Sequence, residues 1–218
     1  AWRPAGERPA AFLSLMDRVR QQPLQASGEV VGIDKLINGT MSRLTSRSRW
    51  PSLGDALAAA ERGDGNPLAT LASGYRNSGA SNAADARHAI TCLDHPSPRD
   101  PAAYPALADA WRAQAPVFGP VFAWSVLSCG VWTSPATRPA RPVRAAGAPP
   151  VLVVGTTGDP ATPRTWAESL AGQLEQGVLV LRQGEEHVAY YYSACVRAIV
   201  DAYLIDGRPP ADGTVCAR

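Results

Sequence analysis

The sequence predicts an α/β fold that is incomplete as a folding unit: a mainly helical first part, then the last two strands of a parallel sheet with their helices. Three observations carry this. Val151-Leu152-Val153-Val154 and Val178-Leu179-Val180-Leu181 are short, continuous apolar runs rich in β-branched residues, the pattern of strands buried on both faces. Each run is followed by a loop and then by a helical pattern, the strand-loop-helix grammar of a parallel sheet. No third convincing strand is visible, and two parallel strands cannot bury both faces or close a core.

In chain order, residues 1–132 read as mainly helical, 133–150 as a connector and 151–218 as the α/β segment. The helical pattern runs from Pro9 to about Asn77. Phe12, Leu15, Met16 and Val19 follow i, i+3, i+4, i+7 spacing and form one apolar stripe. Pro51 to Asp55 reads as the cap of an alanine-rich helix over 56–63 that stops at Gly63. A further helix is expected from about Pro101 to Ala115. Thr133 to Pro150 holds five prolines and no periodic apolar face, so it reads as extended. After the first strand, a turn carries Gly155 to Pro163, and a helix follows over about Arg164–Leu174. After the second strand, Gly184 to His187 form a loop, and Ser193–Leu204 a closing helix.

Composition narrows the function classes. The 218 residues are 45% hydrophobic, enough for a real core, and the 21 basic and 19 acidic residues are scattered, giving a net charge of +2. No basic run tracks a phosphate backbone, so nucleic acid is not an expected partner. No apolar stretch approaches the roughly 20 residues that cross a bilayer, so no membrane span is expected. The start, Ala1-Trp2-Arg3-Pro4, lacks the apolar region of a signal peptide, which places any export signal upstream or already removed. Four cysteines, Cys92, Cys129, Cys195 and Cys216, include no CxxC pair and accompany only three histidines, so no metal site is expected. The even, wide spacing fits two disulfides and an oxidising compartment, with Cys92–Cys129 and Cys195–Cys216 the preferred pairing of three. Four buried thiols remain the alternative.

Asp159 and His187 carry the chemistry. Asp159, in Gly158-Asp159-Pro160, follows the first strand, where a carboxylate can accept a hydrogen bond from a histidine ring and fix its tautomer. Taken alone it reads as a helix N-cap ahead of Pro160. His187, in Gly184-Glu185-Glu186-His187, follows the second strand, where an imidazole can take a proton from a nucleophile and return it to a leaving group. Together they give the order Asp then His, on successive strand-end loops, that α/β-hydrolases use after their serine. That fold also needs a nucleophile elbow, G-x-S-x-G, and the sequence contains none. Gly74 to Ser78 has no central serine, and Ser125 has bulky neighbours and lies too close before the aspartate. No oxyanion-hole loop of the HGG type is present either. His88 and His95 flank Cys92 in a helical or irregular region and read as surface or core residues.

At these residues the sequence resembles the secreted tripeptidyl aminopeptidases of actinobacteria, which are α/β-hydrolases. The resemblance rests on Ala89-Ile90-Thr91-Cys92-Leu93-Asp94, on Cys129-Gly130-Val131-Trp132, and on Pro150 to Pro163 with Gly158-Asp159-Pro160-Ala161-Thr162-Pro163. It continues through Gly184 to His187, Ser193-Ala194-Cys195-Val196, Tyr203 to Gly207 and Gly213-Thr214-Val215-Cys216. It covers Ala89 to the end, with the first 80 residues fitting a helical lid. It implies that Asp159 and His187 are the acid and base of a catalytic triad, that the cysteines pair in sequence, and that the protein is secreted or held in the cell envelope. Glu186 stands where the family's histidine string has glycine, so the resemblance does not fix the conformation of this loop.

The expected function is the C-terminal chain of a serine exopeptidase that releases tripeptides or other short peptides from free N-termini. The nucleophilic serine would come from a separate upstream chain, the expected partner, and no cofactor is implied. Glu29 and Asp34 are candidates to meet the substrate ammonium. An esterase or amidase on the same scaffold, and a non-catalytic binding module lacking the nucleophile, are the alternatives.

Overall fold

The computed structural model describes residues 2–3, 5–76, 82–95, 97–134 and 141–218. The chain forms two compact units. One is built from Leu24–Tyr75 and Arg141–Arg218, the other from Arg3–Pro23 and Arg76–Ala140. The helical segment expected at 1–132 is therefore shared between them. Asn77 and Ser78 of the rejected Gly74–Ser78 string, and residues 135–140 of the connector, lie outside the described residues. Residues 141–150 form neither helix nor strand.

The second unit holds α1 (Arg8–Gln21), whose apolar stripe Phe12, Leu15, Met16 and Val19 is buried as its spacing predicts. The Phe12 ring lies 5.9 Å from Phe118. Further along the chain, this unit also contains the disulfide Cys92–Cys129.

The first unit opens on a feature absent from the sequence reading. In place of continuous helix, β1 (Leu24–Ala26) and β2 (Glu29–Val31) form an antiparallel hairpin, with Leu24 opposite Val31 and Ala26 opposite Glu29. The cause is local: Gly28 takes φ +81°, a backbone conformation that ends helices and closes tight turns, and the β-branched Val30 and Val31 follow it. Three helices come next, α2 (Ile33–Leu44), α3 (Trp50–Glu61) and α4 (Asn66–Arg76). Helix α3 starts earlier than expected because Pro51 sits in its first turn, where a missing N–H costs nothing. In the second unit, α5 (Ala83–Asp94), α6 (Tyr104–Gln114), α7 (Gly119–Ser125) and α8 (Leu127–Gly130) follow, Cys92–Cys129 joining α5 to α8.

The α/β segment follows the predicted order: β3 (Val151–Thr156), α9 (Arg164–Gln173), β4 (Gly177–Arg182), the short α10 (Ala189–Tyr192) and α11 (Ala194–Asp206). Strands β3 and β4 pair in parallel from Val151 opposite Gly177 to Thr156 opposite Arg182. Gly177 lets β4 start hard against α9, since a Cβ there would lie 2.2 Å from the Ala171 carbonyl oxygen. The expectation of two strands is corrected by a third, β5 (Thr214–Cys216), parallel to β4 in the order β3-β4-β5. It has three residues and an exposed Val215, so it carries no apolar run. Cys195–Cys216 ties the first turn of α11 to the end of β5. Ala189, Val196 and Cys216 are buried there with Val154, Ile199 and Val200 packed against them.

Candidate active site

Because β3 and β4 end at paired residues, the chain leaves the sheet twice at one level, and the two loops are laced together. Thr157 N–H donates to the Arg182 carbonyl at 2.9 Å and Gly158 N–H to the Gly184 carbonyl at 2.8 Å. Gly184 N–H donates to the Thr157 hydroxyl at 3.1 Å, and Gln183 N–H to the Cys216 carbonyl at 2.9 Å, so β5 supports the second loop.

On this platform the Asp159 carboxylate and the His187 Nδ1 lie 2.9 Å apart. The Asp159 side chain is 4% exposed and the His187 side chain 38%. Asp159 Oδ1 accepts the backbone N–H of Ala161 at 2.8 Å and of Thr162 at 3.0 Å, while Oδ2 accepts the Thr162 hydroxyl at 2.8 Å. Those bonds close a turn over residues 159–162. The N-cap position of α9 is Pro163, so Asp159 does not serve as that helix's cap. Burial pushes the Asp159 carboxyl up, but the hydrogen bonds from His187, the Thr162 and Ala161 amides and the Thr162 hydroxyl outweigh it and hold the group below the usual carboxylate range. The ionised carboxylate is acceptor-only, so the imidazole presents Nδ1–H to it. In the neutral imidazole Nε2 is then the ring's acceptor, the form a general base requires.

His187 is held through its backbone as well, its N–H donating to the Thr45 carbonyl at 3.0 Å. Its two acidic neighbours part company. Glu185 is half-buried and pairs with Arg47 at 3.3 Å and with Arg218. Glu186, where the sequence departs from the family's glycine, turns inward, and its carboxylate meets the guanidinium of Arg182, the last residue of β4. Burial alone would raise the Glu186 carboxyl, but Arg182 and the loop amides hold it below its ordinary value. Val188, directly after the histidine, has φ +69° and ψ +78°, the left-handed region that a β-branched residue seldom enters.

The other residues singled out in the sequence lie elsewhere. Glu29 is paired with Lys35 at 2.5 Å, and Asp34 is an exposed residue in the first turn of α2. The Ser125 hydroxyl donates to the Phe122 carbonyl within α7. His88 packs edge-on against Trp132 at 5.6 Å, and His95 caps α5 through its backbone. His88, Cys92 and Cys129 bring possible ligand atoms within 4.8 Å of one another, with both sulfurs already joined in a disulfide. Sequence reasoning missed Thr162, Arg182 and Thr45. Thr162 stood inside the quoted Asp159–Pro163 string, and Arg182 and Glu186 stood four residues apart with opposite charge.

Residues 115–216 match the model of a family described as TAP-like protein. The match spans the α/β segment from β3 to β5, whose parallel strands and flanking helices are consistent with the C-terminal part of an α/β-hydrolase fold. Over 216 residues the chain is 36% identical to carboxylesterase B of Mycobacterium tuberculosis, an alignment covering 94% of this chain and 41% of that protein. It is 35% identical over 192 residues to serine protease Hip1 of the same organism, covering 83% of this chain and 36% of the relative. It is 27% identical over 220 residues to tripeptidyl aminopeptidase of Streptomyces lividans, covering 94% and 39%. The chain thus spans about two-fifths of the length of these relatives. The strand order agrees with the expected α/β-hydrolase fold, with Asp159 and His187 on the two loops that leave the parallel sheet side by side. Among the described residues no helix is long and apolar enough to cross a membrane.

Proposed function

We propose that this chain supplies the acid and base of a serine hydrolase, with Asp159 and His187 in those roles and a nucleophilic serine contributed by an upstream part of the enzyme. The observation that carries the reading is the 2.9 Å contact between His187 Nδ1 and the buried Asp159 carboxylate, made from loops at the ends of adjacent parallel strands. In the reaction, His187 Nε2 removes the serine proton as the oxygen attacks the scissile carbonyl. The imidazolium then protonates the leaving amine, and the same nitrogen activates the water that cleaves the acyl-enzyme. Asp159 stabilises the imidazolium without itself taking the proton. No cofactor or metal enters these steps.

The substrate is a peptide with a free N-terminus, from which a tripeptide or other short peptide is released. The relative named tripeptidyl aminopeptidase supports this. The helical segment upstream of the connector is the lid over the substrate site, and the domain division is 1–132, 133–150 and 151–218. Two disulfides favour an extracytoplasmic, secreted or cell-envelope location. An upstream partner is favoured by the edge of β3 opposite β4, which has no strand paired to it among the described residues. Exposed Trp166, Leu170, Leu204 and Ile205 on α9 and α11 point the same way. An esterase reading is favoured by the relative named carboxylesterase B.

The test is a fluorophosphonate serine probe applied to natively purified protein, with the labelled species identified by mass spectrometry. Label on a co-purifying or upstream segment that disappears in His187→Ala supports the hydrolase, and parallel trials with peptide and ester substrates separate the two readings. Absence of any label in active-site titrations refutes the serine mechanism.

A further inference from the structure

We propose that the buried Arg182–Glu186 ion pair fixes the orientation of His187, which makes Glu186 a positioning residue for the base. The inference rests on the role given to His187 above, and it adds what holds the imidazole in register with Asp159.

Arg182 is a firm anchor point. It is the last residue of β4, paired opposite Thr156, and its carbonyl accepts the Thr157 N–H. Its side chain, 5% exposed, reaches forward across the loop to the Glu186 carboxylate, whose side chain is 12% exposed, and its guanidinium also lies over the Tyr192 ring at 6.0 Å. The loop is thereby closed on itself one residue before the histidine. Gly184, at the crown of this loop, leaves the room the arginine occupies: a Cβ there would lie 2.4 Å from a guanidinium nitrogen.

One residue after the histidine, Val188 sits in the left-handed region. Backbone conformations of that kind persist only where the surroundings over-determine them. His187 is thus flanked by a pinned residue and a forced one, and its own N–H is fixed to the Thr45 carbonyl. Burying two charges is a poor route to stability, because apolar residues of similar volume do as well or better. A fixed hydrogen-bond geometry is what the charged pair provides and an apolar pair would not. Glu185 serves as the internal contrast, since its partners Arg47 and Arg218 are about half exposed and such pairs constrain little.

The test compares Glu186→Gln, Arg182→Lys, the double variant Arg182→Met/Glu186→Met and Glu185→Gln in natively purified protein, with folding checked by circular dichroism. The first readout is the NMR signature of the His187 Nδ1–H bonded to Asp159, and the second is kcat and KM on a peptide substrate. Glu186→Gln and the double variant should broaden or shift the Nδ1–H signal. They should also lower kcat by about 10²-fold, as a misplaced catalytic group does, with KM within about twofold. Arg182→Lys should keep the signal and most of the rate, and Glu185→Gln should match the parent. An unchanged His187 signal in folded Glu186→Gln, or in the folded double variant, overturns the proposal. If the signal is lost as expected but the parent protein hydrolyses neither peptides nor esters, the positioning role stands and the hydrolase reading fails.

Discussion

Replacing Asp159 by asparagine should invert the tautomer of His187, and the geometry determines how. Oδ1 accepts two backbone N–H groups, from Ala161 at 2.8 Å and Thr162 at 3.0 Å. An amide NH2 there would set donors against donors, so the asparagine oxygen must take that position. Its NH2 then occupies the place of Oδ2, 2.9 Å from His187 Nδ1 and 2.8 Å from the Thr162 hydroxyl. Nδ1 is forced to accept, the ring proton moves to Nε2, and the nitrogen that should take the serine proton becomes a donor. In serine hydrolases that change costs about 10⁴ in kcat, which at about 1.36 kcal/mol per tenfold corresponds to roughly 5.4 kcal/mol of barrier. KM should stay within a few fold, because no substrate contact is removed. The assay is steady-state hydrolysis of a chromogenic peptide by the nucleophile-bearing enzyme, paired with ¹⁵N chemical shifts of the His187 ring. A fall in kcat of less than about tenfold, or an Nδ1–H that survives in the folded variant, refutes the assignment of Asp159 as the orienting acid.

The lowered Asp159 pKa also has a consequence for stability. A carboxyl held below its ordinary value contributes stability above about pH 4, and the contribution is lost as pH falls through the folded-state value. The difference in urea midpoint between the parent and Asp159→Asn should therefore be full at pH 6 and shrink below about pH 4; a gap that stays constant down to pH 3 contradicts it. Thr162→Val removes the hydroxyl that donates to Oδ2 and should lower kcat about five- to tenfold, the effect of a hydrogen bond of about 1 kcal/mol. Rescue by Thr162→Ser would separate the lost hydroxyl from the lost shape. Removing the disulfide with Cys195→Ala/Cys216→Ala frees β5, on whose Cys216 carbonyl the second loop leans. For a separation of 21 residues the loss of stability should be about 3 kcal/mol, read as a lower denaturation midpoint with a similar slope.

The strands and the pair at their ends were legible because each rests on a local signal. Val151 to Val154 and Val178 to Leu181 have to be buried on both faces wherever they go, and that demand is written in the residues themselves. The separate positions of Asp159 and His187 gained meaning only through the parallel pairing of those strands, which sets their loops side by side. What escaped is what depends on distant partners or on very few residues. Strand β5 is held by pairing to β4 and by a disulfide, so three residues suffice for it without an apolar run. The hairpin at Leu24–Val31 turns on one glycine conformation set within a helical context.

The supports of His187 show the same division. Thr162 lies near Asp159 in sequence and could be read with it. Thr45 contributes only a carbonyl, a group every residue has, from a segment far away in the chain, so no residue type marks it. Arg182 and Glu186 were visible as opposite charges four apart, a spacing that on an exposed helix is worth a few tenths of a kcal/mol and no more. Here they span a loop, not a helix, and are buried. A charged pair hidden from water must be satisfied in one geometry, and the residue next to it inherits that constraint. The result is an asymmetric site in which Asp159 is enclosed and fully hydrogen-bonded, while His187 is fixed at its backbone and at Nδ1. The imidazole is 38% exposed against 4% for the Asp159 side chain.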